Sequence, residues 1–238
     1  MSVVNQGSPE TASQVQSMFG AIAKRYDFLN SFLSLGIDKS WRDEAVKTVF
    51  EKDAMRILDV ATGTADLALA LKRERITAEV IGVDFAEPML AIGRQKAAKE
   101  QLEVKLEPAD GLNLPFPDAS FDALTIAYGL RNFSNYQAGL IEFYRVLKPG
   151  GRLVILEFPP PPKGLFGQLF RFYFMRVLPL LGGLISGKHE AYEYLPTSVL
   201  NFPAPDVLAT MMKEAGFDKI RYKLQTFGVS AIHVGDKS

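Results

Sequence analysis

Apolar positions along the chain follow two alternating rhythms. Short apolar runs stand at "RILDVA" (56–61), "EVIGVD" (79–84), "EVKLEPAD" (103–110), "FDALTIAY" (121–128) and "GRLVILEF" (151–158). Between them lie stretches where apolar residues return every three or four positions: "ADLALALKRE" (65–74), with Leu67 and Leu71 on one face, "EPMLAIGRQKAAKE" (87–100) and "YQAGLIEFYRVL" (136–147). The first rhythm predicts buried strands and the second predicts helices. Their alternation predicts parallel βαβ units in a doubly wound α/β sheet. Two more strands, "KIRYKLQ" (219–225) and "VSAIHVG" (229–235), are separated only by the short "TFG" connection. So short a link forms a hairpin, which places one strand antiparallel to its neighbour.

Upstream, Met18, Phe19, Ile22, Ala23 and Tyr26 recur at helical spacing within 15–50; "LSLG" breaks the pattern near Gly36, and a second helix is expected to follow through Trp41. Residues 1–14 are polar and read as a flexible tail without an apolar signal core, so secretion is not expected. Residues 159–204 are too long for an ordinary connection and read as a substrate-side insertion within a single domain spanning 1–238. That insertion is very apolar, yet Arg171, Arg176 and Pro179 interrupt it, which argues against a membrane span.

Composition narrows the chemistry. The 238 residues are 47% apolar, with 27 basic and 27 acidic side chains. Balanced charge provides no global field for nucleic acid. The chain has no cysteine, which excludes disulfides, a thiolate nucleophile and Cys-ligated zinc, and fits a reducing, cytoplasmic setting. The two histidines, His189 and His233, are too few for a His-rich metal site, and no metal is expected.

The stretch "ILDVATGTADLAL" (57–69) runs from a strand into a helix through a turn holding one glycine, Gly63. A dinucleotide turn has several glycines, so that backbone amides can approach a pyrophosphate. Here Asp59 ends the strand, where it would repel a diphosphate and suit an ammonium or sulfonium group. S-adenosylmethionine carries both and has no phosphate. Asp84 ends the second strand, 84 − 64 = 20 residues beyond Thr64, the spacing at which an acid meets ribose hydroxyls. Asp110, followed by Gly111, ends the third strand and could reach an adenine amino group. Three acids at three successive strand ends point to this cofactor.

The arrangement resembles the class I S-adenosylmethionine-dependent methyltransferases, whose Rossmann-like sheet has seven strands with the last antiparallel. More specifically, it resembles the C-methyltransferases of menaquinone and ubiquinone biosynthesis. The resemblance rests on "YDFLNSFLSLGIDKSW" (26–41), "TIAYGLRNF" (125–133), "RVLKPGGRLVILEF" (145–158), "YEYLPTSVLNFP" (192–203) and "TFGVSAIHVG" (226–235). Asp38 stands where histidine is usual, Leu29 where methionine is common, and Pro159 and Ala127 where serine is usual. The resemblance implies that Thr64, Asp84 and the pair Asp110–Gly111 contact S-adenosylmethionine, with Gly63 and Asp59 in the same turn, and that Tyr26 closes over it.

It also implies a prenylated quinol as substrate. Methylating a ring carbon needs a quinolate, hence a proton acceptor and a group that stabilises the developing anion. The resemblance gives these tasks to Arg131, as a cation holding the quinolate or polarising a water, and to Asn132, as an orienting amide. An alternative is that Arg131 pairs with a carboxylate while Asn132 caps the following helix. His233 is a second candidate base. The apolar insertion implies peripheral contact with the inner face of the cell membrane, and a homodimer is a further expectation. Demethylmenaquinol is the preferred head group over the methoxy-benzoquinol of ubiquinone synthesis. Two other readings remain: an O- or N-methyltransferase, which would need neither "GLRN" nor the insertion, and a catalytically silent cofactor-binding subunit.

Overall fold

The computed structural model describes residues 36–161, 164–172, 176 and 196–238. Its elements run α1 (Ile37–Val49), β1 (Arg56–Val60), α2 (Asp66–Glu74), β2 (Glu79–Asp84), α3 (Glu87–Glu100), β3 (Val104–Pro108), β4 (Phe121–Ala127), α4 (Tyr136–Val146), β5 (Leu147–Glu157), α5 (Leu165–Phe172), α6 (Pro205–Glu214), β6 (Asp218–Gln225) and β7 (Ser230–Asp236). A 3₁₀ turn, Leu130–Asn132, lies between β4 and α4.

The seven strands form one sheet in the order β3-β2-β1-β4-β5-β7-β6. Strands β1 to β5 are parallel, and β7 runs antiparallel to both β5 and β6. The expected hairpin is therefore present, with β7 inserted beside β5. The expected strands and the helices α2, α3 and α4 are all found, and α1 runs past Trp41 to Val49. Residues 1–35, with the tail and Tyr26, and much of the 159–204 insertion, with His189, lie outside the described residues. Among the described residues no helix is long and apolar enough to cross a membrane.

Both faces of the sheet are covered, which is why its central strands are apolar throughout rather than alternating. Neighbours in β1 separate cleanly: Leu58 packs with Val83, Leu124, Phe143, Leu208 and Phe217, on the α4 and α6 side. Ile57 packs with Trp41, Ala45, Leu67, Leu71 and Val154, on the α1 and α2 side. After β3 the chain crosses back to place β4 on the other side of β1. Connections leave the carboxyl ends of β1 and β4 in opposite directions, and a crevice opens between them.

Candidate functional site

The turn after β1 is tightly wound. Ala61, Gly63 and Ala65 have φ of 52°, 56° and 65°, left-handed values that two alanines hold against steric cost. Several bonds fix it. The Thr62 amide donates to the Val83 carbonyl at 3.0 Å and the Ala65 amide to the Thr62 carbonyl at 2.9 Å. The Thr62 hydroxyl donates to Asp59 at 2.6 Å, and the Thr125 hydroxyl of β4 donates to the other Asp59 oxygen at 2.7 Å. Asp59 is buried, with 1% of its surface exposed, directly beneath the turn. Burial pushes its pKa up to about 6, reinforced by the nearby Asp84 charge and opposed by the two hydroxyls.

Asp84 stands at the end of β2. One carboxylate oxygen accepts from the Gly63 amide and the other from the Ala86 amide, both at 2.8 Å. Burial raises its pKa, while the amides of Ala86, Gly63 and Phe85 favour the ionised form. With three amides on four lone-pair sites, the carboxylate can still accept from a ligand hydroxyl. Gly63 and Asp84 line one wall of a narrow cleft of about 50 Å³, with Phe85 and Met89 beside them; Ala127, Tyr128, Asn132 and Phe133 line the other.

Of the residues expected from sequence, the cleft brings together Gly63, Asp84 and Asn132. Thr64 is buried beside it, its hydroxyl accepting from Lys96 at 2.9 Å. Asp59 supports the turn from below. Asp110 is exposed, and its carboxylate turns back to the Leu112 amide at 2.9 Å, outside the cleft lining. Gly111 is packed against Phe133 and Val60, so that a Cβ there would collide with both. Sequence reasoning missed Phe85, Met89 and Phe133. The signal available was "DFAEPM", an aromatic placed directly after the strand-ending acid.

Arg131 lies behind the cleft rather than in its lining. It is 4% exposed and its Nη1 pairs with Glu157 Oε1 at 2.8 Å and bonds the Tyr128 carbonyl. The Arg131 backbone amide donates to Glu157 Oε2 at 3.2 Å. Burial raises the Glu157 pKa, and Arg131 opposes that rise. Arg131 thus has a carboxylate partner, while the cap of α4 is Asn135, whose side chain accepts from the Ala138 amide. Tyr128, at φ 56°, stacks on Phe158 with ring centroids 4.4 Å apart, and Trp41 meets Phe158 edge-on. This aromatic group walls the β4–β5 side. His233 lies elsewhere, on β7 against the start of α6, with Nε2 at 3.0 Å from the Pro205 carbonyl. Burial lowers its pKa to about 4, which keeps it neutral.

Among the described residues, the one charged side chain lining the cleft is the Asp84 carboxylate, the far wall carries aromatic rings, and no basic group lines it. A phosphate would be repelled, whereas the Asp84 carboxylate suits ribose hydroxyls and the aromatic rings suit the face of an adenine. The residues present fit S-adenosylmethionine. The family described as "ubiE/COQ5 methyltransferase family" matches residues 6–237. A Thermus thermophilus protein named demethylmenaquinone methyltransferase is 62% identical over 220 residues, covering 92% of this chain and all of that one. A Geobacter sulfurreducens protein named ubiquinone/menaquinone biosynthesis C-methyltransferase UbiE is 46% identical, covering 96% of this chain and 90% of that one. Among solved structures, an S-adenosylmethionine-dependent methyltransferase of Thermotoga maritima, titled a possible histamine N-methyltransferase, shares the fold with a TM-score of 0.66 at 20% identity, covering 93% of this chain and 100% of that one. The chain belongs to the ubiE/COQ5 methyltransferase family and is an S-adenosylmethionine-dependent methyltransferase.

Proposed function

We propose that the protein methylates a ring carbon of demethylmenaquinol, giving menaquinol. The observation that carries this substrate is the 62% identity, over the relative's full length, to the Thermus thermophilus protein of that name. The second reading, methylation of the methoxy-benzoquinol of ubiquinone synthesis, is supported by the Geobacter sulfurreducens relative, whose name covers both quinones.

S-adenosylmethionine supplies an electrophilic methyl group on a sulfonium. Asp84 accepts from the ribose hydroxyls, Phe85, Met89 and Phe133 flank the adenine, and Thr64, Asp110 and Gly111 complete the cofactor contacts. The Asp59 charge acts through the turn and its electrostatic field, since its oxygens are held by Thr62 and Thr125. Tyr26 closes over the site. The quinol lies against Tyr128 and Phe158. Its hydroxyl gives a proton to a water held by Asn132, and the ring carbon ortho to it becomes nucleophilic. That carbon would take the methyl as the sulfur–methyl bond breaks, leaving S-adenosylhomocysteine, and would then lose its own proton to solvent to restore aromaticity.

Arg131 remains protonated at any physiological pH and stabilises the quinolate as a fixed cation. Glu157 holds the guanidinium in place and moderates its charge. The prenyl tail leaves by way of the apolar insertion, in peripheral contact with the membrane; a homodimer belongs to the same proposal.

The test is incubation with labelled S-adenosylmethionine and either demethylmenaquinol or the methoxy-benzoquinol, each also supplied as the oxidised quinone, with product identified by mass. Methyl transfer to demethylmenaquinol alone is expected. An oxidised ring is electron-poor and has no hydroxyl proton to lose, so equal turnover of quinone and quinol would overturn the mechanism. Flotation with liposomes and light scattering test the membrane contact and the dimer.

A further inference from the structure

Two exposed aromatic rings stand near the carboxyl end of β5, where the aromatic wall of the cleft is built. The first lies on the chain that leaves this strand. Tyr128, in the cleft lining, stacks on Phe158. Two residues on, Pro160 and Pro161 begin a groove of about 550 Å³ whose lining continues through Gln168, Arg171 and Leu200. On α5, Gln168, Arg171 and Phe172 are exposed at the spacing of one helix face, while Gly167 is buried. Phe172 leaves 62% of its surface in water. The second aromatic is on the β6–β7 turn. The pairing of Glu157 with Ala231 sets that turn beside the end of β5. Trp41 meets Phe158 edge-on, and its indole N–H donates to the Thr226 hydroxyl at 2.9 Å. Thr226 and Phe227 have φ of 46° and 56°, and Phe227 is 83% exposed. A bulky residue seldom takes a left-handed backbone, and here that conformation carries an aromatic ring outward rather than into the core.

The charge around α5 is one-sided. The whole chain balances 27 basic against 27 acidic side chains, yet from Phe158 to His189 it has Lys163, Arg171, Arg176 and Lys188 and neither Asp nor Glu. Arg171 and Arg176 are exposed. Among the described residues no helix is long and apolar enough to cross a bilayer. Exposed aromatic rings interleaved with cations suit a surface that rests on anionic lipid, the rings entering the headgroup boundary and the cations meeting phosphates. We propose that α5 and the β6–β7 turn form a docking face for an anionic phospholipid bilayer, with Phe172 and Phe227 as its apolar contacts and Arg171 and Arg176 as its phosphate contacts. The inference rests on the reading of peripheral membrane contact and adds the class of lipid and the residues that meet it. Docking through this face sets the aromatic wall of the cleft close to the bilayer, so a long-tailed quinol reaches it with its tail still in lipid.

The experiment is flotation of the full chain with phosphatidylcholine vesicles, made with and without phosphatidylglycerol, at low and high salt. Partitioning should rise about tenfold or more with phosphatidylglycerol, and salt should abolish the gain. The double variant Arg171→Gln, Arg176→Gln should lose that gain and leave partitioning onto pure phosphatidylcholine unchanged. Phe172→Ser and Phe227→Ser should each weaken partitioning onto both vesicles. All these variants should keep the wild-type melting temperature and the turnover of a short-tailed demethylmenaquinol in solution, and lose turnover of the long-tailed quinol presented in vesicles. Equal flotation of the wild-type chain with both vesicles, or an undiminished gain in the double arginine variant, would overturn the proposal and leave peripheral contact standing. Flotation with neither vesicle would overturn both.

Discussion

Replacing Asp59 by Asn should stabilise the protein at pH 8 and leave it unchanged at pH 4. The carboxyl lies under the cofactor turn with a pKa near 6, raised from the ordinary 3.8. That difference of roughly 2 pH units corresponds to about 3 kcal/mol. Its sign follows from proton linkage. Between about pH 4 and pH 6 the folded state holds this proton and the unfolded state has lost it, so stability falls as pH rises. The contribution is fully present below about pH 4 and lost above about pH 6. Asparagine stays neutral throughout: its oxygen accepts from one threonine hydroxyl and its amide donates to the other after that hydroxyl rotates.

Urea unfolding of both proteins at pH 4 and pH 8 measures the difference of differences, which cancels the other carboxylates. A gain of about 3 kcal/mol at pH 8 is sizeable beside a total stability of about 5–15 kcal/mol. The same variant should bind S-adenosylmethionine more weakly, because a negative charge below an ammonium and a sulfonium is gone. Destabilisation of equal size at both pH values would refute the reasoning, since the two hydroxyls would then more than offset the burial of the charge.

Asp84→Ala should weaken S-adenosylmethionine binding by about 1.5–3 kcal/mol in calorimetry through loss of hydrogen bonds to a charged group. Arg131→Met and Glu157→Gln should each cost about 3–5 kcal/mol by leaving a buried charge or its polar partner uncompensated, and the double variant should recover much of that loss in chemical denaturation. Activity tests of Arg131 therefore need normalising to the folded fraction, with Arg131→Lys as the milder probe. Gly111→Ala should lower stability by about 1–3 kcal/mol, because its Cβ would meet Phe133 and Val60. His233→Gln should retain turnover and its pH profile; loss of a titration between about pH 5 and pH 8 would restore His233 as a candidate base.

The fold was legible because its signals are local. Short continuous apolar runs mark β1 to β5, period-3.6 patterns mark α2 to α4, and the short "TFG" link allows only a hairpin. Asp84 was legible as a cofactor group because strand-end position and spacing from Thr64 are both sequence properties. The direction of a side chain at a strand end is not. Both acids read as strand-ending in the sequence, yet Asp59 stands one residue inside β1, opposite Gly82, where Thr125 on the neighbouring strand holds its carboxylate within the sheet, while Asp84 ends β2. Likewise, Glu157 is 26 residues from Arg131, and only the parallel pairing of β4 with β5 brings them together. Apolar walls such as Met89 were hidden because a methionine on a helix face looks the same whether it meets a core or a ligand.

The placing of β7 has a consequence for the order in which the protein takes shape during synthesis. Asp59, Asp84 and Glu157 have all been made once β5 is complete, yet one side of β5 stays open until Ala231 to Asp236 arrive to pair with it. Leu153, Val154, Ile155 and Leu156 along that open side are fully buried in the finished sheet. A nascent chain stalled between the two strands presents an unpaired, wholly apolar strand edge, the kind that templates pairing with other chains. Protection by a chaperone, or fast release from the ribosome, therefore matters most over residues 158–230, where the cofactor side is built and the sheet is still half open.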